Sequence, residues 1–184
     1  MPITVEEYYA LPEREDVIVE LHLGCLVELA RPKIWNVNVQ DRVASLLKQR
    51  SGAGWKILVE MPFRALPEYD LRAADIGVLA MDRWRQVGDG DILGAPEIVI
   101  EILSPENTPT EIIQKMALCF SAGTDQFVVV DRQRGAVRVS HKLSATEYTG
   151  DDEIPFPLLN TSLRVSDVFA GETRSSAACI IARA

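Results

Sequence analysis

Hydrophobic positions along the chain change period several times, and each change marks an element. Thr4-Val5-Glu6-Glu7 has the spacing of a capping box, with Thr4 at the N-cap and Glu7 at N3. It predicts a short helix that stops near Pro12. Val and Leu then dominate residues 17–29, which read as two strands meeting at Leu23-Gly24. Over residues 34–50, Trp35, Val39, Val43, Leu46 and Leu47 recur at helical spacing, and Gly52 follows. Residues 55–62 and 75–79 are short and strand-like, and the Gly- and Asp-rich segment 82–95 reads as a loop. Pro96 and Pro105 bracket Glu97-Ile98-Val99-Ile100-Glu101-Ile102-Leu103, which is apolar on both alternating faces, as a central buried strand is. A third helix is predicted over 110–122, with Ile112, Ile113, Met116, Ala117 and Phe120 on its apolar face and Gly123 at its C-terminal cap. Phe127-Val128-Val129-Val130 forms another buried strand, paired with 137–142 through the turn at 132–135. Residues 143–170 add short strands or loops. The sum is one α/β domain over 1–170, its helices covering a mixed sheet, and a C-terminal tail at 171–184.

Composition agrees with a single folded unit. A chain of 184 residues, 47% hydrophobic and 25% charged, excludes disorder, collagen-like repeats and coiled coil. No apolar run approaches the ~20 residues of a membrane span, and the N-terminus lacks the basic and apolar regions of a signal peptide. Cys25, Cys119 and Cys179 are odd in number and far apart, without a CxxC. That usage predicts a reduced, cytoplasmic chain in which each cysteine is a small buried hydrophobe. The net charge of −8 argues against broad nonspecific binding to nucleic acid. Residues 31–72 nevertheless carry eight basic side chains against four acidic ones, so charge is unevenly spread.

Several common sites are excluded by motif. The chain contains no GxGxxG, GxxxxGK[ST], HExxH or GxSxG. Its two histidines, His22 and His141, lie near neither a cysteine nor each other, so a zinc site is not expected and His22 reads as decoration of a strand. What stands out is a carboxylate where one is costly. Glu101 sits inside the central strand, and desolvating it alone costs several kcal/mol unless a partner, a metal or a shifted pKa relieves it. Asp75 begins the preceding strand, where it either caps a turn or faces Glu101. Two carboxylates converging from neighbouring strands make a hard-oxygen site suited to Mg²⁺ or Mn²⁺, an ion that acidifies water and clamps charge on a phosphodiester. Lys115, on the helix that follows, has two readings: a cation for that site, or the Lys of an exposed i,i+4 pair with Glu111.

These residues, taken in order, resemble a known family. Ala74-Asp75-Ile76, Pro96-Glu97-Ile98-Val99-Ile100-Glu101-Ile102-Leu103-Ser104-Pro105 and Glu111-Ile112-Ile113-Gln114-Lys115 resemble the Uma-two family of restriction-endonuclease-like proteins, within the PD-(D/E)XK nuclease superfamily. Thr4–Tyr8, Glu20-Leu21 with Gly24, and Ala122-Gly123-Thr124 through Asp131 resemble flanking features of that family, so the likeness spans about residues 4–170. The chain differs from the family pattern at Ala74, Leu23, Trp35-Asn36 and Cys119. The resemblance implies a restriction-endonuclease-like mixed sheet flanked by helices, with Asp75 and Glu101 as metal-binding carboxylates and Lys115 as catalytic lysine. Superfamily members usually place that lysine two residues after the glutamate, where this chain has Leu103. Glu20 matches a recurrent family glutamate and is implied as a further site member. Glu60, near the end of its strand, is a weaker candidate beside a plain surface reading. The implied activity is Mg²⁺-dependent hydrolysis of DNA phosphodiesters by metal-activated water, in a homodimer. The alternative is a noncatalytic binding or assembly module that keeps the fold.

Overall fold

A computed structural model describes residues 1–12, 14 and 17–171. The predicted capping box at Thr4 is formed: Glu7 N donates to Thr4 Oγ1 and Thr4 N to Glu7 Oε2, opening α1 (Val5–Tyr9). The strands β1 (Ile18–His22) and β2 (Cys25–Leu29) pair antiparallel as a separate two-stranded sheet. Their turn residues, Leu23 and Gly24, both have positive φ, the conformation that a two-residue hairpin turn requires. The long helix α2 (Ile34–Arg50) has the predicted bounds.

The main sheet has six strands: β3 (Trp55–Phe63), β4 (Arg72–Ala80), β5 (Ile98–Ile102), β6 (Gln126–Asp131), β7 (Ala136–His141) and β8 (Ser144–Thr149), side by side in chain order. Only β5 and β6 are parallel. That pair needs a crossover, and α4 (Pro109–Ser121) supplies it. All five residues of β5 are buried, as the bracketed apolar run predicts.

Two apolar layers sandwich the sheet. On one, Val39, Val43 and Leu47 of α2 pack on Ile76, Val78, Ile98, Ile100 and Val128. The C-terminal elements complete this layer: β9 (Glu153–Phe156), a 3₁₀ turn (Pro157–Leu159), β10 (Thr161–Arg164) and α5 (Val165–Val168). On the other, Cys119 of α4, flanked by Ile112, Met116 and Phe120, packs on Val99, Phe127, Met61 and Phe63.

Four expectations are corrected. Segment 82–95 is not all loop, because α3 (Met81–Val87) occupies its start. The Gly and Asp residues that suggested a loop gather after Val87, and Asp82 lies in the helix's first turn, where an acidic side chain is favourable. In α4 the buried face is narrower than predicted: Ile113 and Ala117 face solvent, one position round from Ile112 and Met116. Strand β4 starts three residues before Asp75, so that carboxylate is inside a strand rather than at its head. Cys25 is exposed, an outward position of the hairpin, whereas Cys119 is fully buried. Cys179 and tail residues 172–184 lie outside the described residues. Among the described residues, no helix is long and apolar enough to cross a membrane.

Candidate active site

The sheet is irregular at one row, and the acidic residues gather there. The β4–β5 ladder runs from Val78↔Ile98 to Ile76↔Ile100 and then stops. The next facing positions are Asp75 and Glu101. Instead of a ladder bond, Ile102 N donates to Asp75 Oδ2 at 2.6 Å, so the side chain bridges the widening gap. On the other edge of β4, the β3 ladder is broken at the same row: Val59↔Ile76 and Met61↔Ala74 pair, but Glu60 and Asp75 between them do not.

Glu60 has φ +48°, a left-handed conformation that a non-glycine residue adopts at roughly 1–2 kcal/mol. The strand changes phase across it. Ile57 packs in the α2 layer, whereas Met61 and Phe63, also at odd positions, pack in the α4 layer. Strand β4 changes phase at Asp75 in the same way, with Ala74 in the α4 layer and Ile76 and Val78 in the α2 layer. Glu60, Asp75 and Glu101 thus occupy one row across three strands. Gln40, buried on α2, donates to Glu60 Oε1 at 2.6 Å and to Asp75 Oδ1 at 3.1 Å.

Lys115 comes from α4. A second capping box, Thr108 with Glu111, fixes the start of that helix. Glu111 is therefore engaged with Thr108, and the i,i+4 reading of Lys115 does not hold. The ammonium turns inward, donating to Glu101 Oε2 at 2.7 Å and to Ala73 O at 2.8 Å. Glu20 arrives from β1, which is bridged at Leu21↔Leu71 to the residue just before β4. Its Oε1 accepts from Ala73 N at 2.8 Å, and its Oε2 lies 2.6 Å from His22 Nε2. The structure thus brings together Asp75, Glu101, Lys115, Glu20 and Glu60.

The charge balance here is lopsided, with four carboxylates around one ammonium. Burial pushes the Glu101 carboxyl up to about 8, against the pull of Lys115 and with help from Asp75. Burial likewise raises Asp75, and Glu60, although exposed to solvent, is raised by local desolvation, with Asp75 adding to it. Glu20 is the exception: burial acts on it too, but His22, Lys115 and the Ala73 N–H together hold it below the usual carboxylate range. Lys115 is also buried, yet Glu101, Glu20 and Asp75 keep it firmly protonated.

These residues fit a divalent cation of the Mg²⁺ type. Glu101 Oε1 is buried with no hydrogen-bond partner, a costly state that a cation would relieve. Each Asp75 oxygen accepts one bond and keeps a second lone pair. Among the described residues, no three His, Cys, Asp or Glu side chains are grouped as a ligand set. One or two carboxylates, with the remaining positions left to water and substrate, are how Mg²⁺ is usually held.

Two participants escape sequence reading. Gln40 lies on the packed side of α2, where its position matches the apolar stripe. His22 lies on β1, as its strand reading expects, but it is only 26% exposed and bonded to Glu20. The i,i+2 spacing of Glu20 and His22, which puts both on one face of a strand, was the available signal.

The described residues thus form a mixed six-stranded sheet flanked by helices, in which a buried glutamate and its acidic neighbours meet a lysine from α4. The sequence model of the Uma2 family, described as "putative restriction endonuclease", matches residues 5–169, and the chain belongs to that family. In fold it is similar to a crystal structure of "a putative nuclease belonging to DUF820" from Anabaena variabilis, with TM-score 0.76 and 24% identity over 91% of this chain and 98% of that one. No curated protein sequence matches the chain.

Proposed function

We propose that the protein is a divalent-metal-dependent nuclease acting on DNA, with Asp75 and Glu101 holding Mg²⁺ or Mn²⁺ and Lys115 as the catalytic lysine. The observation that carries this reading is the buried Glu101, with one oxygen on Lys115 and the other without a partner, beside Asp75. When bound, such an ion supplies concentrated positive charge at the phosphodiester and acidity to a nearby water. The chain's own residues do the rest. Lys115 offers a fixed ammonium to the charge that builds on the phosphoryl oxygens. Gln40 holds Asp75 and Glu60 apart at set positions, and the Ile102 N–H keeps Asp75 oriented. Cutting both strands of a duplex calls for two such sites, so a homodimer is the expected working form.

Purified protein with Mg²⁺ or Mn²⁺ is expected to nick supercoiled DNA, and Mn²⁺ titration calorimetry is expected to show one class of site. Asp75→Asn should remove that heat. A protein that cleaves nothing and binds Mn²⁺ identically after Asp75→Asn would instead be a scaffold of the same fold.

The pKa of Glu101 also makes metal-free stability depend on pH. Its carboxyl titrates near 4.5 when unfolded and at about 8 when folded, so the folded state binds the proton more tightly. Its contribution is full below about 4.5 and is lost as pH rises to about 8. Asp75 and Glu60 act in the same sense, whereas Glu20, held low, contributes above its ordinary pKa and loses that on acidification. Thermal melts in EDTA should therefore show Tm falling between pH 5 and about 8.5. Added Mg²⁺ should flatten that slope, and an unchanged Tm would mean Glu101 is ionised throughout.

A further inference from the structure

Two sets of hydrogen bonds, joined through the backbone of Ala73, lead from the candidate site to a half-buried ring. Strand β5 pairs with β4 only as far as Ile76, so Ala73 has no ladder partner from β5. Side chains occupy both of its main-chain polar groups. Ala73 N donates to Glu20 Oε1 at 2.8 Å, and Ala73 O accepts from Lys115 Nζ at 2.8 Å. The second oxygen of Glu20 is taken by His22 Nε2 at 2.6 Å. A carboxylate only accepts, so the hydrogen in that bond resides on Nε2.

Glu20 is otherwise a competitor for Lys115. It is one of the anions that hold the ammonium protonated, and Lys115 in turn attracts Glu20. A Glu20 side chain released from His22 would be free to rotate toward Lys115 and draw it from Glu101. Asp70 and Glu111 also face His22, but their strongest partners are elsewhere: Arg72 for Asp70 and Thr108 for Glu111. Glu20 is the carboxylate that the ring bonds.

We propose that His22 is a positioning residue of this site: by holding Glu20 on the Ala73 amide, it keeps the Lys115 ammonium on Glu101 and on the Ala73 carbonyl. The catalytic consequence rests on the nuclease reading above, but the geometric one does not. His22 touches no reacting group in this scheme, and its effect runs through Glu20 and the backbone of Ala73.

The test compares the full-length wild type with His22→Ala and His22→Gln, whose amide can replace the Nε2–H donor. Amide hydrogen exchange resolved by ¹⁵N NMR is read at Ala73 against Ile76 and Val78 of the same strand. Steady-state cleavage of plasmid DNA is read in Mg²⁺. In His22→Ala, Ala73 should exchange about tenfold faster relative to Val78, and kcat should fall about tenfold with KM within about twofold, the size typical of lost support behind a metal site. His22→Gln should restore both to within about threefold of wild type. Should His22→Ala fail to fold, His22→Asn, polar but too short to reach Glu20, takes its place. Unchanged exchange at Ala73, or acceleration spread evenly over β4 with no rescue by glutamine, overturns the proposal. A wild type that cleaves no DNA refutes the nuclease reading instead, and the exchange data alone then decide the role of His22.

Discussion

On the proposed nuclease reading, Glu101→Gln is expected to reduce metal-dependent DNA cleavage by about two to three orders of magnitude, the scale of a lost charge-stabilising group at a reacting centre. The fold should survive. Glutamine matches glutamate in shape, and its carbonyl oxygen still accepts from Lys115 Nζ, now 2.7 Å from Glu101 Oε2. Removing the charge also removes the burial penalty that holds this carboxyl at about 8. Metal-free Tm should accordingly rise at pH 8.5 and change little at pH 5, where wild-type Glu101 is already protonated. Plasmid cleavage and melts at the two pH values check both halves. A variant that cleaves normally would remove Glu101 from the chemistry.

Lys115→Met should move stability the other way. It deletes the ammonium that serves Glu101, Asp75, Glu20 and the Ala73 carbonyl together. Breaking a buried pair by removing one partner costs about 3–5 kcal/mol when the other stays charged. That cost should be largest near pH 8.5 and shrink toward pH 5, as the orphaned carboxyls take up protons. On the proposed reading, cleavage should drop by about 10²–10³, because the variant lacks the preorganised cation assigned to the phosphoryl charge. Denaturant unfolding across pH measures the first effect and plasmid nicking the second. In the double variant Glu101→Gln with Lys115→Met, the two stability changes should not add, since each removes half of one interaction. Simple additivity would mean that the pair is not coupled in solution.

The contrast between these variants shows why part of the site could be read from the chain and part could not. Glu101 announces itself because an acid inside an unbroken apolar strand has no cheap explanation, and the strand is buried at every position. Helix α2 and the capping box at Thr4 are local patterns and form as written. Lys115 stayed ambiguous because its helix partner Glu111 lies at pairing distance in sequence, and only the cap at Thr108 takes that acid away. Gln40, and the choice between the site and surface readings of Glu60, depend on where three strands lose register, which no local window encodes. The phase change at Glu60 sends Met61 and Phe63 to the opposite layer from Ile57, so strict alternation through β3 assigns the wrong face to half the strand. Helix α3 was hidden by glycines that follow it.

The doubly capped start of α4 also sets a ruler. Lys115 lies seven positions after Thr108, and each residue of helix turns a side chain by about 100°. Adding or deleting a single residue between the cap and the lysine would swing the ammonium off the sheet and onto the solvent face. The length of that stretch is thus as constrained as its composition. The Lys142-Leu143 tip of the β7–β8 hairpin, with Leu143 fully exposed, has no such duty. Insertional scanning should find the hairpin tip permissive and the first turns of α4 closed to any change in length.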